Sequence, residues 1–313
     1  MSCCCSSSCS TWRARWRGPL CWCCSCWSCS RRWWRSRPGR YAIGRSPNGR
    51  HDAVSTDPFI RFRDVSKEFP RPDGSGTFLA VDRLSFEIAR GEIVAVLGKT
   101  GCGKSTMFNL LAGLIEPTSG MVDVTGHDPF REFAYFRGKI GIVFQNDRLM
   151  PWRSALDNVL LGLQILDADK MEAEATARGW LTRLGLAGHE SDYPHALSGG
   201  MRQRVSIARA FAVEPEILLC DEPFSSLDEM TARDLRSEFT RLVKQNGKTA
   251  VFITHHINEA LEIGDRVMVF HRPARIAYEA RMDQTSGEAE RRNVQDRILE
   301  VLSLERSVDA PQV

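Results

Sequence analysis

Glu92-Ile-Val-Ala-Val-Leu97, Gly98-Lys-Thr-Gly-Cys-Gly-Lys-Ser105 and Thr106-Met-Phe-Asn-Leu-Leu-Ala-Gly-Leu114 follow one another without a gap. The first is a continuous apolar run, read as a buried strand. The last has helical spacing, and the loop between them fits G-x-x-x-x-G-K-[ST] with the flanks that motif requires. Glycine freedom at Gly98, Gly101 and Gly103 lets the backbone N–H groups of Gly98, Lys99, Thr100, Gly101, Cys102, Gly103, Lys104, Ser105 and Thr106 turn inward as an anion nest. The helix N-terminus adds partial positive charge. Lys104 can then reach the β- and γ-phosphates of a nucleotide, and the Ser105 hydroxyl can ligate Mg2+. A chance glycine-rich turn is the competing reading, and the strand and helix on the correct sides argue against it. The motif implies a nucleoside triphosphate; it does not say which process uses it.

Outward from this loop the pattern repeats. Short apolar runs recur at 140–144, 217–220, 250–253 and 267–270, with helical stretches at 104–114, 172–184, 200–212 and 231–245. Fully apolar strands separated by amphipathic helices imply a sheet covered on both faces, hence α/β. Before the loop, Phe59-Ile-Arg-Phe-Arg-Asp-Val65 and Leu84-Ser-Phe-Glu-Ile88 alternate apolar and polar around a turn-rich 70–76, which suggests an antiparallel subdomain. Residues 146–196 lack a strong strand run and read as a helical insertion. After Glu279 the chain turns charged, with a short helix expected over 291–304.

Composition divides the chain. Residues 1–50 carry ten Arg and no Lys, Asp or Glu, so against the whole-chain charge of +3 the remainder is at −7. The same segment holds nine of the eleven Cys and six of the eight Trp, and it shows neither a 3.6 nor a 2 period. Its apolar stretches make a poor secretory signal, and its cysteines lack the paired spacing of a structural zinc site. An Arg/Trp-rich arm could touch nucleic acid or anionic lipid. The expectation is a disordered tail over 1–56, with translation from upstream of the true start as one origin. Only Cys102 and Cys220 remain beyond it, so no disulfide framework is expected there. No stretch approaches the ~20 apolar residues of a membrane span, so none is expected.

Ile217-Leu-Leu-Cys-Asp-Glu222 is an apolar strand ending in two carboxylates. Many strands end in an acid, but beside a phosphate loop each has a role: Asp221 binding Mg2+ through water, Glu222 positioning and deprotonating the attacking water. Leu197-Ser-Gly-Gly-Met-Arg-Gln203 reads as a second helix N-terminus able to hold phosphate; an ordinary Ser198 N-cap is the alternative.

In order along the chain, Gly98–Thr106, Gln145, Leu197-Ser-Gly-Gly-Met201, Ile217–Glu222, Ser226-Leu-Asp228 and His255 resemble the P-loop, Q-loop, signature, Walker B, D-loop and switch histidine of ABC transporter ATP-binding subunits. The resemblance runs from about residue 58 to 272. It implies an ABC-type P-loop NTPase core with an antiparallel β subdomain and a helical insertion, as an ATPase domain over 57–280 followed by a helical extension over 281–313. It further implies ATP and Mg2+ as cofactors and a head-to-tail homodimer, with Ser198, Gly199 and Gly200 of one copy facing nucleotide on the other. Gln145 would touch Mg2+ or the lytic water, His255 would hold the γ-phosphate and Glu222 in register, and Asp228 would link the two sites. Phe69 matches an aromatic that stacks on adenine, though it also reads as an ordinary core or surface Phe. Met201 stands where Gln is commoner, and His256 where Asp is usual.

Phe144-Gln-Asn-Asp-Arg-Leu-Met-Pro-Trp-Arg-Ser-Ala-Leu-Asp-Asn-Val159, with Met150-Pro-Trp152 as its typical element, is similar to the region after the Q-loop in importers for nitrate, aliphatic sulfonates, taurine and related substrates. That implies a peripheral ATPase at the cytoplasmic face of the membrane, transmembrane permease subunits, a periplasmic or lipoprotein solute-binding protein, and a small anionic solute. Leu149, Met150 and Trp152 are expected as an exposed groove for a partner helix; Trp152 packing the helical insertion is the alternative. An exporter or another importer remains an alternative, and an ABC ATPase acting on nucleic acid a weaker one, since a single P-loop is present and no nucleic-acid partner is expected.

Overall fold

The computed structural model describes residues 58–282 and 288–308; the expectations for residues 1–56, metal binding by their cysteines included, lie outside them. Strands β1 (Ile60–Pro70) and β2 (Thr77–Ile88) pair antiparallel, with Ile60 opposite Ile88 and Phe62 opposite Phe86, around the turn at 71–76. The Phe62 and Phe86 rings stack at 4.5 Å. Next come β3 (Ile93–Gly98) and α1 (Lys104–Leu111). Strand β4 (Ser119–Val124) adds to the free edge of β1, giving the order β2-β1-β4. Helix α1 is shorter than expected: it stops at Ala112 because Gly113 turns left-handed (φ 69°), where a Cβ would lie 2.1 Å from the Pro129 carbonyl oxygen.

The chain continues through β5 (Ile140–Val143), α2 (Ala155–Ile165), α3 (Lys170–Arg183), α4 (Gly199–Ala212), β6 (Ile217–Asp221), α5 (Glu229–Gln245) and β7 (Thr249–Thr254). It ends with α6 (Ile257–Ile263), β8 (Arg266–His271), β9 (Arg275–Arg281) and α7 (Glu288–Val308). Side-chain oxygens start four of these helices: Ser154, Asp169, Ser198 and Asp228 cap α2, α3, α4 and α5 by accepting a first-turn N–H.

The second sheet has the order β5-β6-β7-β3-β8-β9 and is parallel except for β9, which runs antiparallel to β8. Along its central strands consecutive residues go to opposite faces, as the two-residue period demands. Ala250 and Phe252 join a core with α4 and α5, whereas Val251 and Ile253 join one with α1 and the antiparallel sheet. The expected two-sided cover is therefore present, with a β layer helping to make one side. Helices α2 and α3 pack on α4 through Val159, Leu163, Leu181 and Trp180, whose ring meets Phe211 at 5.0 Å. Helix α7 lies on α6 and β8 through Ile298 and Val301.

One expectation is corrected. Leu149 is 8% exposed and belongs to the core. Its loop is folded inward by the Asp147 carboxylate, which accepts the Leu149 N–H at 3.1 Å, and by buried Asn158, which accepts the Met150 N–H at 2.7 Å. Trp152, by contrast, is 71% exposed and does not pack the helical insertion. Among the described residues no helix is long and apolar enough to cross a membrane.

Candidate active site

Parallel strands present their carboxyl ends on one edge, where ligands of open α/β sheets collect. Gly98–Thr106 run from the last residue of β3 into α1, Gln145 follows β5, Asp221 ends β6 with Glu222 next, and His255 follows β7. Ile253 bridges two of these loops: it pairs with Asp221 at the end of β6, and its carbonyl accepts the Glu222 N–H at 2.9 Å.

The phosphate loop is shaped by close approach. A Cβ at Gly98 would lie 2.6 Å from Cys102 Sγ and 2.8 Å from the Phe270 carbonyl oxygen. Gly103, at φ 103°, begins α1 with its Cα against β2, where a Cβ would meet Ala80 O at 2.5 Å and Ala274 Cβ at 2.7 Å. Lys104 is 7% exposed, and its ammonium donates to Gly98 O at 2.6 Å and Lys99 O at 3.0 Å, with Cys102 Sγ at 3.9 Å. The cation is thus folded across its own loop. Thr100, Gly101 and Ser105 are exposed, Lys99 and Thr106 half-buried, and Cys102 buried.

A hollow over the loop is walled by Gly101, Gly103, Lys104, Ser105 and Thr106 on one side, and by Phe78, Leu79, Ala80 and Arg272 on the other. Phe69 is half-buried behind this wall, its ring 5.6 Å from that of its cross-strand partner Phe78. The sequence reading chose Phe69 and missed Phe78, Leu79 and Arg272. The signal was available in Thr77-Phe-Leu79, an apolar pair straight after the turn-rich segment.

Asp221 is half-buried; burial, and then the Glu222 charge, push its carboxyl above the ordinary value, while Lys104 and Arg148 draw it back. Glu222 has left-handed backbone, φ 47°, unusual for a residue with a Cβ. Its Oε1 lies 2.9 Å from His255 Nδ1, with the histidine 46% and the glutamate 20% exposed. The His256 ring sits 4.0 Å from that of His255. Gln145 is exposed.

The signature residues lie elsewhere. Ser198 caps α4, accepting the Met201 N–H at 3.3 Å, and Ser198, Gly199 and Gly200 line an open hollow with Ser226, Leu227, Asp228 and Thr231. Asp228 caps α5, and two hydrogen bonds from Thr231 hold its carboxyl below the ordinary value. The two hollows share no residue. Helix α4 also reaches the loop after β5, since Gln203 Nε2 donates to the Phe144 carbonyl, a tie the sequence reading missed.

A triphosphate loop, a carboxylate pair at the end of β6 and a histidine over the second carboxylate define a P-loop ATPase. Residues 81–225 match the ABC transporter family. The taurine import ATP-binding protein TauB of Pseudomonas aeruginosa is 46% identical over 194 residues, covering 62% of this chain and 72% of that protein. The glycine betaine transport ATP-binding protein OpuAA of Bacillus subtilis is 43% identical over 202 residues, covering 62% of this chain and 48% of the other. A solved dimeric ATP-binding cassette, MJ0796, bound to ADP and Pi, matches with TM-score 0.64 and 32% identity, over 72% of this chain and 99% of that one. The chain belongs to the ABC transporter ATP-binding proteins, and it is an ATP-binding, ATP-hydrolysing subunit.

Proposed function

We propose that this subunit drives uptake of a small anionic or zwitterionic solute, of the sulfonate kind, through separate permease subunits at the cytoplasmic face of the membrane. The relative named for taurine import supports the direction, and together with the relative named for glycine betaine transport it supports the solute class. A solute-binding protein outside the membrane would supply the permease. Trp152, exposed in the segment that follows Gln145 in sequence, suits an apolar helix presented by such a permease.

The observation that carries the mechanism is the separation of the two open hollows, one holding the phosphate loop and the other Ser198, Gly199 and Gly200 with Asp228. Two copies arranged head to tail would bring each phosphate loop against the other's α4 N-terminus, and the solved cassette, itself dimeric, supports the pairing of two copies. In each composite site Lys104 and the loop N–H groups of Gly98–Thr106 bind the β- and γ-phosphates, with the base near Phe69 and Phe78. Glu222 takes a proton from the attacking water, and His255 keeps the Glu222 carboxylate aimed and contacts the γ-phosphate. Ser105, Gln145 and Asp221 offer only oxygen donors, a set that suits Mg2+, which when bound supplies charge neutralisation at the β- and γ-phosphates. Asp228 lies at the seam between the copies. Residues 57–280 act as the ATPase domain, with 146–196 as its helical part and 281–313 as an extension.

The test is Glu222→Gln. The variant should bind Mg-ATP normally, lose about 100-fold or more of its hydrolysis, and elute as an ATP-dependent dimer. Proteoliposomes carrying the wild-type assembly should then take up taurine with ATP and not without it. Wild-type turnover in Glu222→Gln would remove the assigned base; taurine export would reverse the direction.

A further inference from the structure

His255 is half-exposed and yet its ring meets Glu222 at 2.9 Å, so the loop beneath it must be held. Thr254, fully buried at the end of β7, does the holding. Its Oγ1 accepts the His256 N–H at 3.0 Å and closes a tight turn around His255. A hydroxyl has one hydrogen, and here it is donated to Glu259 Oε2 at 2.6 Å, the short distance of a bond to a carboxylate.

Glu259 is 5% exposed in the first turn of α6, and its Oε1 accepts from an Arg236 Nη1–H at 3.3 Å. Arg236, on α5, is 4% exposed and donates also to Glu262 at 2.9 Å and to Glu229 at 2.8 Å. Glu229 follows the D-loop residue Asp228 directly, and its side chain is 85% exposed. A buried arginine surrounded by carboxylates is a weak source of stability, because desolvation offsets the attraction. Its planar fork does fix three partners in one geometry. The chain of contacts runs from the start of α5, through α6, to the turn that carries His255.

We propose that Thr254, Glu259 and Arg236 are positioning residues that hold His255 against Glu222 and tie its placement, through Glu229, to the D-loop. This rests on the reading of His255 and Glu222 as the hydrolytic pair, and the test separates the two.

The full chain is assayed for Mg-ATP hydrolysis as Thr254→Val, Thr254→Ser, Glu259→Gln and Glu229→Gln, each alone and combined with His255→Ala. Thr254→Val and Glu259→Gln should lower kcat about tenfold while KM stays within about threefold. Thr254→Ser, which keeps the hydroxyl, should restore the rate. Glu229→Gln, on an exposed side chain that does not threaten folding, should lower kcat severalfold. In the His255→Ala background each change should cost less than about twofold more, because residues acting through one group are not additive. Additive losses in that background, or wild-type kcat in folded Thr254→Val and Glu259→Gln, would overturn the relay and leave the hydrolytic pair standing. Wild-type turnover in His255→Ala would remove the pair itself and the relay with it.

Discussion

Gln203 Nε2 donates to the Phe144 carbonyl oxygen across 3.2 Å, from a side chain only 2% exposed. Arg202 on the same helix pairs with Asp147 at 3.0 Å, and Arg209 donates to the carbonyls of Asp147 at 2.7 Å and Arg148 at 2.9 Å. The helix that opens at Ser198 thus grips the loop containing Gln145. Gln203→Leu keeps the volume and leaves the Phe144 carbonyl unpaired. It should cost about 1–2 kcal/mol in denaturant titration and lower turnover severalfold with KM for ATP unchanged.

Lys104→Ala removes the ammonium that spans the phosphate loop. Hydrogen bonds from a charged donor contribute about 1.5–3 kcal/mol, so affinity for Mg-ATP should fall about 10- to 100-fold. Equilibrium binding of a fluorescent ATP analogue reads this. Unchanged affinity would discredit the phosphate-loop assignment.

Gly103→Ala meets two obstacles, a left-handed φ and a Cβ 2.5 Å from the Ala80 carbonyl oxygen. The loop or β2 must shift, at a cost of about 2–3 kcal/mol. For a chain of this size Tm should drop by about 5–10 °C, and nucleotide binding should weaken in parallel. A thermal scan with and without Mg-ATP checks both.

Phe69 and Phe78 compete for the role of base-stacking ring. Phe78 walls the hollow and Phe69 backs it, so Phe78→Ala should weaken ATP binding about fivefold or more, near 1 kcal/mol. Phe69→Ala should weaken it less, through loss of support for Phe78. The reverse ranking would return the stacking role to Phe69.

Trp152→Ala removes a side chain that is 71% exposed. Stability should change by less than about 0.5 kcal/mol, and basal hydrolysis should hold at the wild-type rate. ATP-driven uptake in proteoliposomes should fall strongly. Full uptake by the variant would place the permease contact elsewhere.

Sequence carried the phosphate loop, the central parallel strands and the main helices because their signals are local and continuous. Strand β4 escaped, since Gly120 interrupts a six-residue segment and only Val122 and Val124 are buried. Strand β9 escaped because its charged residues hide the alternation of Ile276, Tyr278 and Ala280. Leu149 sits in a loop, and no periodicity predicts that Asp147 and Asn158 will fold it inward. The polar ties escaped for another reason: Gln203 meets Phe144, 59 residues away, and Arg236 meets Glu259, 23 residues away. A reading built on apolar patterns passes over partners of that kind.

Glu222 occupies backbone space that suits glycine or asparagine better, at a toll of about 1 kcal/mol for a side chain like its own. Folding alone would favour replacing it, and Glu222→Gly should raise Tm while abolishing turnover. The acid is held at an awkward turn, so the stability given up there is the counterpart of the chemistry its carboxylate performs beside His255.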